Sequence, residues 1–195
     1  VRKMENAPVE EANISMSLIA IQATQNLLIK NLVLGALSFS LPLGSSFAAS
    51  LTCEKHLIAA AKKYSVPIAI LYAVGLTESG RKGRLHPHAL NVEGKTYFPK
   101  SANADIGVFR NARREGKVLI DLGCMQINHK YHRSAFGSLN AMFDPAQNVD
   151  YSARFLRRLK NRHGTWSLAV ARYHAGGKNH AAQKKYVCRV LRHMI

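Results

Sequence analysis

A nearly unbroken apolar segment, Ile68–Thr77, constrains the fold of this chain more than any other part of its sequence. Pro67 stands directly before it, where a helix commonly begins, and Glu78-Ser79-Gly80 follows it, with Gly80 as a helix stop. Because the segment is apolar around nearly its whole circumference, it predicts a helix buried at the centre of a domain.

Other segments with helical periodicity surround this central helix. They carry apolar residues at intervals of three and four positions, and several begin at a capping side chain and end at Gly. The predicted helices are Cys53–Tyr64, Ser101–Arg114, a helix capped by Asp144 and closed by Gly164, Trp166–His174 after the Thr165 cap, and Ala181–Arg192. Internal repeats and βαβ alternation are not evident, so the sequence predicts a mainly α domain.

The first 48 residues have the pattern of a secretory leader. Lys30 precedes the uncharged, mostly apolar segment Leu32–Leu43, and small residues end the region at Ala48. This segment is shorter than the roughly 20 apolar residues of a membrane span, which favours cleavage after Ala48. An uncleaved amino-terminal anchor is the alternative. Either way, we expect residues 49–195 to form an exported, periplasmic domain.

The charge of the chain indicates its class of partner. It carries 28 Lys and Arg against 11 Asp and Glu, a net charge of +17, and the leader holds equal numbers of both. With 47% apolar residues, the chain can bury a core, which excludes an intrinsically disordered protein. A basic exported surface attracts polyanions. The candidates are nucleic acid, anionic lipid and the carboxylate-rich cell wall, and nucleic acid is the least favoured because the domain is expected to be exported and shows no nucleic-acid-binding pattern.

Glu78 is the first candidate for a catalytic residue. It lies four residues after Val74 and seven after Leu71, and therefore leaves the central helix on the same face. Burial and the negative end of the helix dipole both raise the pKa of a carboxyl group placed there. A carboxylic acid that stays protonated near neutral pH can protonate a glycosidic oxygen. A Glu at a helix end usually just reaches solvent, so the motifs around it must decide.

Four short motifs accompany Glu78 in a fixed order. They are Glu78-Ser79, Pro87-His88-Ala89-Leu90-Asn91, Gly123-Cys124-Met125-Gln126-Ile127-Asn128 and Arg172-Tyr173-His174-Ala175-Gly176. Together they resemble the family-1 lytic transglycosylases, the soluble-lytic-transglycosylase type with a goose-lysozyme-like fold. The resemblance runs from about Cys53 to His193 and implies a single α+β, lysozyme-like domain that cleaves peptidoglycan.

The resemblance also implies roles for individual residues. Glu78 corresponds to a single catalytic acid and base, and Ser79 to a neighbour that orients the acetamido group of the sugar. Tyr173 resembles a tyrosine that positions the catalytic carboxylate, although an ordinary core aromatic is an equal alternative. The residues that would line the glycan cleft are Met125, Gln126 and Asn128.

This chain departs from the family pattern in two ways. The segment Arg81–Leu122, between Glu78 and the Met125 motif, is longer than in the family and is expected to wall the cleft or dock a partner. His174 stands where the family has Asn, and Arg172 where it has Ala. Small enzymes of this kind resemble those that open the wall for a flagellum or secretion apparatus, whose components are therefore candidate partners.

The resemblance implies a lytic reaction that consumes no water, metal or cofactor. Glu78 would protonate the oxygen between N-acetylmuramic acid and N-acetylglucosamine, and a 1,6-anhydro ring would then close. A hydrolytic muramidase is the alternative, which usually needs a second carboxylate. Asp121 is the best candidate for it, ahead of Glu93 and Asp105. The further alternatives are a non-catalytic wall-binding assembly factor and, last, an exported nucleic-acid binder.

The histidines and cysteines give two last expectations. The pairs His86/His88 and His129/His132 lack the third and fourth ligands of a standard zinc pattern, so no metal site is predicted. Cys53 in the first helix and Cys188 in the last are expected to form a disulfide, because the two helices can face each other and export permits oxidation. Cys124 would then be a small buried thiol beside the cleft.

Overall fold

A computed structural model describes the backbone of residues 46–195 and the side chains from Cys53 onward. The helices are α1 (Ser46–Tyr64), α2 (Ile68–Ser79), α3 (Ala102–Arg114), α4 (His129–His132), α5 (Leu139–Phe143), α6 (Pro145–His163), α7 (Trp166–His174) and α8 (His180–Leu191), with a 3-10 turn at Arg133–Ala135. The strands are β1 (Leu90–Val92), β2 (Lys95–Tyr97), β3 (Ile120–Leu122) and β4 (Ile127–Asn128). The prediction of a mainly helical α+β domain is confirmed.

The small sheet accounts for the β part of the fold. Its strand order is β2-β1-β3-β4 and every neighbouring pair is antiparallel, with Leu90 opposite both Tyr97 and Leu122. Three of its strands and helix α3 come from Arg81–Leu122, the segment between Glu78 and the Met125 motif. Phe109 of α3 is buried in the common core, so this segment is part of the domain rather than an appendage.

Helix α2 lies at the centre of the core only along part of its length. Leu71 and Val74 are completely buried, as the apolar segment predicts. The first turn is more open, and 47% of Ile68 is exposed. The prediction of burial on all sides was therefore wrong for this turn, because α2 enters the core carboxyl end first and brings Glu78 inward.

The helix ends follow the predicted caps closely. Asp144 Oδ1 accepts a hydrogen bond from the Gln147 amide at 2.9 Å, and Thr165 Oγ1 accepts one from the Leu168 amide at 3.2 Å. These side chains satisfy amides that a helix leaves unpaired in its first turn. Helix α6 ends at Gly164, as expected.

The amino-terminal predictions are only partly covered by the structure. Helix α1 begins at Ser46 instead of Cys53, and the expected cleavage point after Ala48 falls in its first turn. Lys30 and the segment Leu32–Leu43 lie outside the described residues, so the leader and the boundary at residue 48 stay predictions. Among residues 46–195, none of the helices has the length and apolar character needed to cross a membrane.

The predicted disulfide between Cys53 and Cys188 was wrong. Cys53 is bonded to Cys124, with their Cα atoms 5.9 Å apart, and both are fully buried. Cys188 is free and exposed. The reason is the orientation of α8, which turns Tyr186 and Val190 toward the core and Cys188 toward solvent. The bond joins α1 to the loop that follows β3.

We expect the double variant Cys53→Ala/Cys124→Ala to lose about 2–4 kcal/mol of unfolding free energy, because the bond closes a loop across 71 positions of sequence and restricts the unfolded chain. Urea denaturation measures the loss. Cys188→Ala is the matched control and should leave the midpoint within error. A cross-linked peptide containing Cys53 and Cys188 in a non-reducing digest would contradict this pairing.

Candidate active site

Glu78 lies in the last turn of α2, where the chain leaves the helix sharply. Gly80 caps this end in an extended conformation and donates its amide hydrogen to the Leu76 carbonyl at 3.0 Å. A Cβ atom on Gly80 would lie 2.2 Å from that carbonyl oxygen, so a larger residue would push the chain away. The sequence marks Gly80 as a helix stop, and the structure shows why a glycine fits there: the chain passes close to the Leu76 carbonyl, next to the candidate acid.

The Glu78 carboxyl group is held by Tyr186 of α8. Tyr186 Oη donates a hydrogen bond to Glu78 Oε1 at 2.5 Å, and only 1% of Tyr186 is exposed. Burial holds the pKa of Tyr186 well above its ordinary value, so the phenol keeps its proton and remains a donor. Helices α2 and α8 thus meet at a polar, half-buried contact.

Burial raises the pKa of Glu78 from 4.5 to about 7. The hydrogen bond from Tyr186 opposes this rise by stabilising the anion, nearby Asp121 adds to it by repulsion, and Arg189 opposes it by attraction. The net effect is a carboxyl group that exists in both protonation states near neutral pH. Such a group can donate a proton in one step and accept one in the next.

The loop Gly123–Gln126 forms the support beside Glu78, and one buried amide, Asn148 of α6, holds it. Asn148 Oδ1 accepts from the Met125 amide at 2.9 Å, while Nδ2 donates to the carbonyls of Leu122 at 2.9 Å and Met142 at 2.8 Å. Gly123 has φ +77°, and a Cβ there would lie 2.8 Å from Asn148 Nδ2. The glycine permits both the left-handed backbone and the contact.

Gln126 closes the same loop from within. Its Nε2 donates to the carbonyls of Ala89 and Gly123, both at 2.9 Å. These bonds connect the loop to the segment before β1. The prediction that Gln126 lines a glycan cleft is untested, and both amide hydrogens already have protein acceptors.

Ser79 and Met125 lie beneath the surface rather than along it. Ser79 is 2% exposed; its Oγ donates to the Cys124 carbonyl at 2.6 Å and accepts from the His86 amide at 3.2 Å. The Met125 side chain is completely buried. Ser79 therefore supports the loop from the end of α2 and Met125 supports it from within, and their predicted contacts with the substrate stay predictions.

Two tyrosines, Tyr173 and Tyr186, lie at the site, and the structure gives each a different hydrogen-bond partner. Tyr173 Oη donates to the Met125 carbonyl at 2.8 Å, so it braces the loop and not the carboxyl group. The tyrosine that binds Glu78 is Tyr186, which sequence reasoning missed. Its only sequence signal is the buried stripe of α8, which runs through Gln183, Tyr186 and Val190, and the choice depends on how α8 packs against α2.

Asp121 and Asn128 lie on the sheet side of the site. Asn128 Nδ2 donates to Asp121 Oδ1 at 2.7 Å, and the two residues are paired across β3 and β4. Burial raises the pKa of Asp121, and the hydrogen bond from Asn128 opposes the rise. Asp121 is close enough to raise the pKa of Glu78. The other acidic candidates are engaged elsewhere: Asp105 pairs with His88 at 2.6 Å and Glu93 with Lys117 at 3.1 Å.

Within the described part of the chain, no group of three or more His, Cys, Asp and Glu side chains is arranged to hold a metal ion. The histidines that the sequence pairs are engaged separately. His88 Nδ1 contacts Asp105, and His132 Nδ1 contacts the Tyr151 hydroxyl at 2.8 Å. These contacts join His88 to α3 and His132 to α6.

Comparison with known protein families places this site in context. The model of the transglycosylase SLT domain matches residues 55–191. The chain belongs to this family. A search of curated proteins and a search of solved structures gave no match. Members of the SLT family are lytic transglycosylases, so the protein is a peptidoglycan-cleaving glycan lyase and peptidoglycan is its substrate. Such enzymes act on peptidoglycan outside the cytoplasm.

The SLT match encloses every residue of the site described above. Glu78, the loop Gly123–Gln126, Tyr173 and Tyr186 all fall between residues 55 and 191. Cys53 lies just before the matched region, so the disulfide ties the SLT domain to the first turns of α1.

The raised pKa of Glu78 predicts that the SLT domain becomes less stable as pH rises from about 4.5 to about 7. In this window the native state keeps a proton that the unfolded state releases, so rising pH favours unfolding. Glu78→Gln removes this dependence. Between about pH 5 and about pH 8, we expect the variant to gain about 2–3 kcal/mol relative to the wild type in urea denaturation. Parallel stability curves for the two proteins would contradict the raised pKa.

Proposed function

We propose that this SLT domain cleaves the β-1,4 bond between N-acetylmuramic acid and N-acetylglucosamine without water, with Glu78 as its catalytic acid and base. The observation that carries the proposal is the half-buried Glu78 carboxyl group, hydrogen-bonded to Tyr186 and with a pKa of about 7. Family membership supplies the substrate and the class of reaction.

In the first step, the protonated Glu78 donates its proton to the glycosidic oxygen. The bond from that oxygen to C1 of the muramic acid breaks, and N-acetylglucosamine leaves with a new hydroxyl group. The acetamido group of the muramic acid stabilises the positive charge that develops at C1. An acid with a pKa near the working pH combines a useful protonated fraction with enough acidity to transfer the proton.

In the second step, the Glu78 carboxylate removes the proton from the C6 hydroxyl of the muramic acid. The C6 oxygen then attacks C1 and closes the 1,6-anhydro ring, which returns Glu78 to its protonated form. The hydrogen bond from Tyr186 favours the carboxylate between the two steps. Atoms balance without water, because the C6 oxygen replaces the leaving glycosidic oxygen at C1.

Hydrolysis of the same bond, as by a muramidase, is the second candidate reaction, because a second carboxyl group lies near Glu78. Asp121 lies close enough to Glu78 to influence its pKa, so a second carboxyl group is present at the site. Its own pKa is raised by burial and Asn128 already occupies one of its oxygens. Membership of an enzyme family favours both enzymatic readings over a non-catalytic wall-binding factor.

We expect the full chain to release 1,6-anhydromuramoyl products from purified peptidoglycan, and Glu78→Gln to reduce the rate by about 10²–10⁴-fold, the usual contribution of general acid–base catalysis. Mass spectrometry of the soluble products measures both. The basic limb of the pH–rate profile should lie near the Glu78 pKa of about 7, because only protonated Glu78 starts the reaction.

Asp121→Asn is the matched variant, because it removes a neighbouring carboxylate without touching Glu78. Under the lytic mechanism it continues to give anhydro products. Reducing-end muramic acid from the wild type, lost in Asp121→Asn, would establish hydrolysis instead. Unchanged release by Glu78→Gln would remove Glu78 from the reaction.

Export and local wall opening complete the proposal. The leader pattern around Leu32–Leu43 and the charge of +17 support secretion into the periplasm and attraction to wall carboxylates. The small size of the domain and its long Arg81–Leu122 segment support service to a flagellum or secretion apparatus. A deletion strain with normal motility and secretion would contradict this assembly role.

A further inference from the structure

The ring of His174 lies flat on the ring of Tyr186, whose hydroxyl donates the hydrogen bond to Glu78. The centroids of the two rings are 4.4 Å apart and their planes differ by 4°. His174 is exposed at the end of α7, whereas Tyr186 is buried. His174 is therefore the outer layer of a stack whose inner member binds Glu78. It is also a position where this chain departs from the family pattern.

We propose that His174 is a positioning residue that holds the Tyr186 hydroxyl on the Glu78 carboxyl group through ring stacking. A phenol can rotate about its side-chain bonds, and a hydrogen bond weakens steeply when its angle opens. A flat aromatic partner restricts this rotation and adds packing energy at the ring face. Asn, the family residue, has no ring with which to do this. The inference rests on the proposed function of Glu78.

The charge of His174 fits a stacking role near neutral pH. Partial burial of its ring and the Arg189 guanidinium both lower the pKa of His174, which favours the neutral ring near neutral pH. Arg189 lies 5.3 Å from the centroid of the Tyr186 ring. The Tyr186 ring therefore has a neutral aromatic and a cation as neighbours.

The titratable and charged groups around Glu78 come from three elements. Tyr186 and Arg189 act from α8, and Asp121 acts from β3. Tyr173 of α7 is close enough for Glu78 to raise its pKa. Neutral His174 changes none of these charges, so its replacement by another neutral residue alters Glu78 through the geometry of Tyr186.

The test is a carboxyl ¹³C NMR titration of the full chain, with the Glu78 signal assigned by its loss in Glu78→Gln. Tyr186→Phe removes the hydrogen bond and should raise the pKa of Glu78 by about one unit. His174→Ala loosens the bond without removing it, and should raise the pKa by about half a unit. His174→Phe keeps a flat ring and should restore the wild-type value.

The double variant His174→Ala/Tyr186→Phe separates positioning from other effects. If His174 acts through Tyr186, the double variant shifts no further than Tyr186→Phe alone. The basic limb of the pH–rate profile should follow the NMR shifts of the single variants. Should His174→Ala fail to fold, His174→Asn makes the same comparison with the family residue.

An unchanged pKa in His174→Ala would overturn the proposal, since a merely structural ring would lower the melting temperature alone. A fall in the pKa would also overturn it, because it would mean that the ring excludes water from Glu78. Equal shifts in His174→Phe and His174→Ala would exclude stacking as the cause. The titration needs no substrate, so it tests the role of His174 independently of activity. Inactivity of the wild type on peptidoglycan would contradict the proposed function only.

Discussion

The buried amide of Asn148 is the interaction on which the rest of the site depends. Its three hydrogen bonds join the end of β3, the Met125 amide and the end of α5. An apolar residue there would leave two carbonyls and one amide unpaired in the core, and each would cost about 1–3 kcal/mol. Ser79, Gln126 and Tyr173 then complete the support.

Burial of Glu78 creates a conflict that the surrounding structure resolves in part. An apolar setting raises its pKa toward neutrality and makes it an acid, but it also makes the anion costly. The Tyr186 hydroxyl supplies the one hydrogen bond that stabilises this anion without adding charge. A lysine in its place would hold the carboxylate permanently and abolish the acid. A neutral donor suits a group that must alternate between two protonation states.

Local sequence signals predicted the helices well and the contacts between them poorly. Asp144, Thr165 and the apolar stripes act within one or two turns, so the bounds of α6 and α7 could be read from the sequence. The strands contain two or three residues each, too few for periodicity to reveal. The disulfide partner of Cys53 and the tyrosine that binds Glu78 depend on the rotation of α8, which tertiary packing fixes. Asn148, a polar residue beside the apolar stripe of α6, could have been found by its position.

The disulfide and the buried acid are connected through the same loop. Cys124 is bonded to Cys53, and its carbonyl accepts the Ser79 hydroxyl, one residue after Glu78. Charging a buried carboxyl group favours local opening of the elements around it. The covalent bond between α1 and the loop limits how far such opening can proceed. A catalytic acid that destabilises its own surroundings is therefore placed beside the one covalent cross-link found in the described part of the chain.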